Sequence, residues 1–227
     1  IEDIRTVINY AHKFNAKVFV TVNTILDDDE LKSAVNLIKE LDTIGADAVL
    51  IQDMGLLYKL MELNLKIPIH MSTQCDNRNI DKIKFFNTMG VSRVVLAREL
   101  SLKQMEEIHK ACPDMELEAF IHGALCVSYS GQCYLSQYIG GRSANRGDCA
   151  QPCRKKYSVI NDKGESLADN IHALCLKDFN ASDYIEKMIR CGIYSFKIEG
   201  RLKDIEYVKN IVSHYRKILD KYSQKTS

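Results

Sequence analysis

Four cysteines, Cys126, Cys133, Cys149 and Cys153, fall within 28 residues of a 227-residue chain that holds eight in all. Thiolates bind soft or borderline metals, and a site needs about three or four of them converging. Six residues separate the first pair, fifteen lie between the pairs, and three separate the second pair. Tight zinc knuckles place about two to four residues inside each pair, so the first spacing is loose for zinc, whereas iron–sulfur clusters accept irregular spacing. The four are read as ligands of an iron–sulfur cluster, with zinc as the alternative. A cysteine can also be a small buried apolar group. That reading suits Cys75, Cys112 and Cys191, which are scattered along the chain. Cys175 lies further along the cysteine-rich segment and is the one substitute ligand. Cysteine usage of this kind implies a reducing, cytoplasmic compartment rather than a disulfide framework.

A basic run accompanies the cysteines. Arg142, Arg146, Arg154, Lys155 and Lys156 face only Asp148 across fifteen residues. Such a patch suits the phosphates of RNA, although a charge run is commonly a solvated loop. Tyr129, Tyr134 and Tyr138 either stack on bases or pack against the scaffold. The formal net charge is only +1, so a polyanionic partner must be met by this local patch. No run approaches the roughly 18 apolar residues of a membrane span. Hydrolysis finds little support: there is no Gly-x-Ser-x-Gly elbow and no His-Glu-x-x-His, and Ser136 has no base nearby in sequence. A Cys126–His122 dyad remains, with His122 the candidate catalytic residue.

The elements that must position these groups alternate along the chain. Apolar residues make up 46% and charged residues 27%, an ordinary globular balance. Ile4, Ile8, Ala11 and Phe14 recur at helical spacing, as do Leu31, Ala34, Leu37, Ile38, Leu41 and Ile44. Ser101 and Gln104 form a capping box. Short apolar strands are predicted at 17–22, 47–52, 67–71, 93–97, 116–122 and 194–199. Gly45, Gly90 and Gly192 each close a helix before a strand. Parallel strands with helical crossovers follow from this pattern. No Gly-rich phosphate fingerprint supports a doubly wound sheet, so the expected fold is a (β/α) TIM-type barrel in a single domain over 1–227. Six strands are two short of closure, and the chain opens inside a helix, so the first two units are expected to precede it. Residues 123–180 break the alternation as a cysteine-rich insertion before the last strand, with a hairpin around Asn161-Asp162-Lys163-Gly164.

Glu118-x-Phe120-x-x-Gly123-Ala124-Leu125-Cys126-x4-Gly131-x-Cys133-x-Leu135-Ser136 resembles the signature of the U32 peptidase family, with every signature position filled. Four further stretches are similar to the family: His70 to Gln74, Arg93 to Leu100, Asn145 to Arg154, and Phe196 to Arg201. The resemblance covers nearly the whole chain and is nearest to the tRNA 5-hydroxyuridine hydroxylation branch. It implies oxygen-independent hydroxylation of tRNA wobble uridine with prephenate as co-substrate. Other members act on a ribosomal cytidine or, as a pair, on ubiquinone precursors. The latter carry a four-cysteine [4Fe–4S] cluster, and the pairing implies an oligomer with itself or a paralogue. The family's older name implies a collagenase-like protease. A non-catalytic RNA- or partner-binding protein with structural zinc is the third reading.

Barrel geometry aims residues at the carboxyl ends of strands toward one mouth. Asn23, His70, Ser72, Gln74, Arg98, Glu99, His122, Glu199 and Arg201 are so placed. Arg98 and Arg201 suit a carboxylate or phosphate bound in bidentate fashion, as in prephenate or tRNA. Arg98–Glu99 and Glu199–Arg201 read equally well as ion pairs at the rim, and His70 as a hydrogen-bonded structural histidine.

Overall fold

The computed structural model describes residues 1–226, with side chains to Gln224. It alternates α1 (Glu2–His12), β1 (Phe19–Val22), α2 (Asp28–Thr43), β2 (Ala48–Ile51), α3 (Met54–Met61), β3 (Ile69–Met71), α4 (Ile80–Thr88), β4 (Arg93–Val95), α5 (Leu102–Ala111) and β5 (Glu116–Gly123). The irregular stretch that follows holds α6 (Leu135–Gly140), the hairpin β6 (Tyr157–Ile160) and β7 (Ser166–Ile171), and the two-residue β8 (Phe179–Asn180). The chain then resumes with α7 (Ile185–Arg190), β9 (Ile193–Ile198) and α8 (Ile205–Thr226).

All six strands expected from the sequence are present, and their order is β1-β2-β3-β4-β5-β9 with every pair parallel. β3 starts after Pro68, which has no N–H to donate but whose carbonyl accepts from Val49 (3.0 Å). The order never reverses. With right-handed crossovers an unreversed order places the helices on one face of the sheet, which is not the doubly wound arrangement. β1 and β9 stand at the two ends of the parallel run, and no closed barrel forms among the described residues. β8, which the sequence did not suggest, adds antiparallel to the end of β5, His122 opposite Asn180.

Burial follows the alternation of strands. Val49, Ile51, Met71, Val94, Leu117, Ala119 and Ile121 face the helices, where Ile38 and Leu41 of α2, Leu56 and Leu57 of α3, and Ile83 and Phe86 of α4 complete the core. α2 and α5 both open on capping boxes, Asp27 with Glu30 and Ser101 with Gln104, each satisfying two otherwise orphaned N–H groups. Phe14 is a correction to the first helical stripe. It lies beyond the end of α1, largely exposed, and packs only its ring against Tyr10 at 5.2 Å.

Candidate functional site: the cysteine segment over the strand ends

The segment after β5 is tied to the carboxyl ends of the strands at several independent points. Ser130 is fully buried and donates its N–H to Glu99 Oε1 at 2.8 Å. Its hydroxyl lies 3.4 Å from that of Thr73, which itself donates to the Leu96 carbonyl at 3.0 Å. Next in sequence, Gly131 adopts φ +74°, and a Cβ there would stand 1.8 Å from the Gln74 carbonyl oxygen. Only glycine lets the two backbones approach so closely. Gly123 has the same role where β5 ends, since a Cβ would meet the Glu199 carbonyl oxygen at 2.4 Å. Further along, Ile25 N–H donates to the Asn145 carbonyl (3.2 Å), while Arg146 reaches the Ile25 carbonyl (3.2 Å) and Glu30 (2.6 Å). Ser136 accepts from Ala150 N–H at 2.9 Å, which folds the second cysteine pair back toward the first.

This folding gathers the thiols. Cys126, Cys133, Cys149 and Cys153 are all half-buried, and none is in a disulfide. Burial pushes the Cys153 thiol up, Arg154 beside it pulls down, and Cys126, Cys149 and Cys133 each push it up again, so the four share one electrostatic neighbourhood. Arg154 holds the group from one side. Its guanidinium donates to the carbonyl of Leu125, next to Cys126, to the Leu176 carbonyl (3.1 Å) and to the Cys175 sulfur (3.1 Å). Cys175 therefore shares Arg154 with the segment's carbonyls. Among the described residues, no group of three or more His, Cys, Asp or Glu is drawn close enough to hold a single metal ion. Burial pushes the Cys75 thiol up to about 12, and Cys75, Cys112 and Cys191 all pack in or against the hydrophobic core.

Not all of the polar residues expected at the strand ends are free to meet a ligand. Gln74 accepts from Asn23 (3.2 Å), and Asn23 also donates to Ser72 (3.3 Å). Glu99 is the clamp for Ser130. Glu199 accepts from the N–H of Arg201 at 2.8 Å, and the Arg201 side chain is exposed. Ring contacts turn His122 toward α8: its Nδ1 is 3.2 Å from the Tyr215 hydroxyl, and its ring packs against Tyr215 and Tyr207. Arg98 lies over the Phe120 ring at 5.5 Å, its Nε buried with no hydrogen-bond partner.

The basic run is thinner than its sequence suggests. Arg142 pairs with Asp148 (2.8 Å), Arg146 with Glu30, and Arg154 is spent on the segment's own carbonyls. Lys155 and Lys156 are exposed and have no ion pair among the described residues. Tyr138 is 91% exposed, and Tyr134 and Tyr129 are also open, the Arg78 guanidinium lying 4.6 Å from the centre of the Tyr129 ring.

A buried charge network on the sheet face opposite the helices escaped the sequence reading. Glu118 accepts from Lys197 (3.1 Å), Ser195 (2.9 Å) and Arg93 (3.2 Å), and Arg93 also binds Glu116 at 2.8 Å. Burial alone would raise the Glu118 carboxyl, but the charge and hydrogen bond of Lys197, with Ser195 and Arg93, bring it below its ordinary value. His70 pairs in register with Arg93 and is buried, its ring edge on Phe19 and its Nδ1 without a partner. Burial, helped by Arg93, holds it down at about 4. The signal that could have found the network is the period-two alternation of Glu116 and Glu118, matched by Ser195 and Lys197 on the strand that pairs with theirs.

The family model of Peptidase family U32 matches residues 1–227. The chain belongs to that family. Among U32 relatives and similar proteins, a 23S rRNA 5-hydroxycytidine C2501 synthase of Escherichia coli is 50% identical, over 97% of this chain and 33% of that protein. An "uncharacterized protease" of Methanocaldococcus jannaschii is 38% identical over 96% of this chain and 55% of its own length. The tRNA hydroxylation protein P1 of Bacillus subtilis is 36% identical over 98% of this chain and 54% of its own. This U32 chain thus spans between a third and about half of the curated relatives it matches. No helix among the described residues is long and apolar enough to cross a membrane.

Proposed function

We propose that this U32 chain is the cluster-bearing part of an RNA hydroxylase, in which Cys126, Cys133, Cys149 and Cys153 hold a [4Fe–4S] cluster. The observation that carries the reading is the gathering of four free thiols over the strand ends, with no histidine or carboxylate in the set. A thiol-only donor set fits an iron–sulfur cluster. When bound, the cluster would supply one-electron redox chemistry. The chain's own part is to hold the four ligands through Ser130, Gly131, Ser136 and Arg154, and to present Tyr134, Tyr138, Lys155 and Lys156 toward a nucleic acid. We further read the open parallel sheet as an incomplete (β/α) barrel, because its strand order never reverses.

Two relatives of this chain are named for hydroxylation of RNA pyrimidines or of tRNA. The higher identity of the first favours a ribosomal cytidine over the tRNA wobble uridine, with prephenate as the co-substrate that the family resemblance implies. Nucleoside analysis of separated rRNA and tRNA from a deletion strain tests this. Loss of 5-hydroxycytidine from rRNA is the expected result, and loss of 5-hydroxyuridine from tRNA would move the substrate to tRNA. Unchanged nucleosides in both, with a peptide cleaved by the purified protein, would give the case to the peptidase reading. The commitment of His122 to Tyr215 and Tyr207 speaks against a Cys126–His122 dyad as the means of such cleavage.

A further inference from the structure

Three open tyrosines stand on the cysteine segment, and Tyr129 is the one whose ring the fold holds in place. The backbone after it is pinned, because Ser130 is fully buried and bonded to Glu99, and Gly131 packs on the Gln74 carbonyl. Gln132 closes the turn: its N–H donates to the Tyr129 carbonyl (3.1 Å), its carbonyl accepts from Ser128 (2.8 Å), and its side chain donates to Asp76 (3.2 Å). The Arg78 guanidinium lies 4.6 Å from the centre of the Tyr129 ring. Arg78 is itself held by Asp76, with Glu99 at 3.9 Å. Even so, the Tyr129 ring stays 60% exposed. Tyr134 and Tyr138 have no such cation or ring against them among the described residues. A ring fixed against a cation and otherwise open is a stacking surface that loses little freedom when a ligand arrives.

Tyr129 also lines a cavity of about 230 Å³ that it shares with Cys126, and Leu125, Val127 and Leu176 add apolar wall. That size is below the roughly 300–1,000 Å³ of sites for drug-sized molecules, which suits one flat ring better than a whole nucleotide. An enzyme that works on a base of a structured RNA takes that base out of its stack. A base so freed is held by aromatic rings and guanidinium planes. Here the two are stacked on each other, and the open ring borders the same space as a proposed cluster ligand.

We infer that Tyr129, backed by Arg78, is the residue on which the reacting pyrimidine rests, turned out of the RNA and beside Cys126. The inference rests on the RNA hydroxylase reading and adds to it the residue that positions the base. The full-length gene, returned to its deletion strain at native copy number, tests it through 5-hydroxycytidine in rRNA and 5-hydroxyuridine in tRNA. The unaltered gene should restore one of the two nucleosides. Tyr129→Ala should restore less than about a tenth as much, the scale of one lost base–aromatic stack. Tyr129→Phe keeps the ring and should restore it in full. Purified Tyr129→Ala should keep its iron content and thermal midpoint. It should also bind RNA within about threefold of the unaltered protein, since stacking on Tyr129 replaces stacking given up in the RNA. The loss then falls on turnover. If the unaltered gene restores neither nucleoside, the hydroxylase reading fails and this inference with it. If it restores one and Tyr129→Ala does so equally, or Tyr129→Phe fails as alanine does, the positioning role alone is overturned. Should Tyr129→Ala lose iron or fail to fold, Tyr129→Leu decides, because leucine keeps the bulk without the flat face. Full restoration by Tyr129→Leu would overturn the inference, and less than about a tenth with iron intact would support it.

Discussion

At Cys126, Cys133, Cys149 and Cys153 the thiols are set apart from Cys75 and Cys112 by surroundings rather than by residue type. The first four lie half-exposed in an irregular segment, and the last two pack with the core. Replacing each of the four by serine should therefore remove bound iron under anaerobic reconstitution, while Cys75→Ala and Cys112→Ala keep it. Iron retained in the Cys126→Ser and Cys133→Ser variants would break the ligand assignment. His70 makes a second prediction at this scale. The unfolded chain takes up a proton near 6.5 that the folded chain refuses until about 4. The unfolded state thus binds more protons in that window, and stability falls as pH drops from 6.5 toward 4. The loss is at most roughly 3 kcal/mol. Urea midpoints at pH 7 and pH 5 should show the decline, and His70→Leu should flatten it.

The cysteine segment as an element has little regular structure, and a few tight contacts hold it in place. Ser130 on Glu99, Gly131 on the Gln74 carbonyl and Arg146 on Glu30 join it to the segments after β4 and β3 and to the first turn of α2. Gly131→Ala puts a methyl group where a carbonyl already stands, in a left-handed conformation besides. It should cost about 2–4 kcal/mol or release the segment. Limited proteolysis between Cys133 and Cys153 reads out that release, and cleavage no faster than in the unaltered protein would show that the contact carries little. The exposed side of the same element is the proposed RNA surface. Tyr138→Ala should weaken RNA binding by about 1–3 kcal/mol while leaving iron content unchanged, as measured by filter binding and iron assay.

For the whole molecule, the charge network couples the middle of the sheet to its edge strand. Arg93 on β4, Glu118 on β5 and Lys197 on β9 lie on three neighbouring strands, and Arg93 and Glu118 are buried. Glu118→Gln leaves Arg93 with Glu116 but strips the charge that meets Lys197, and should cost roughly 3 kcal/mol of global stability. Equilibrium urea unfolding measures it. A loss below 0.5 kcal/mol, the size of an ordinary surface change, would mean that the network is dispensable to the fold.

The strand–helix alternation and the cysteine segment were legible in the sequence because each is a local signal. Apolar runs bounded by Gly45, Gly90 and Gly192 announce strands through period and punctuation, and all three glycines do adopt positive φ. Four thiols in one aperiodic stretch mark a candidate ligand set by density alone. Pairing is not local. Which arginine is spent depends on register and loop course: Arg142, Arg146 and Arg154 read as one basic patch, yet the fold sends them to Asp148, Glu30 and the Leu125 carbonyl. Arg93 and Ser195 meet across 102 positions of sequence, a contact that only the parallel pairing of β4, β5 and β9 brings about. His122 turned toward Tyr215, and the Arg98 Nε left without a partner beside the Phe120 ring, were decided in the same way, since tertiary packing sets where a side chain's partners end up.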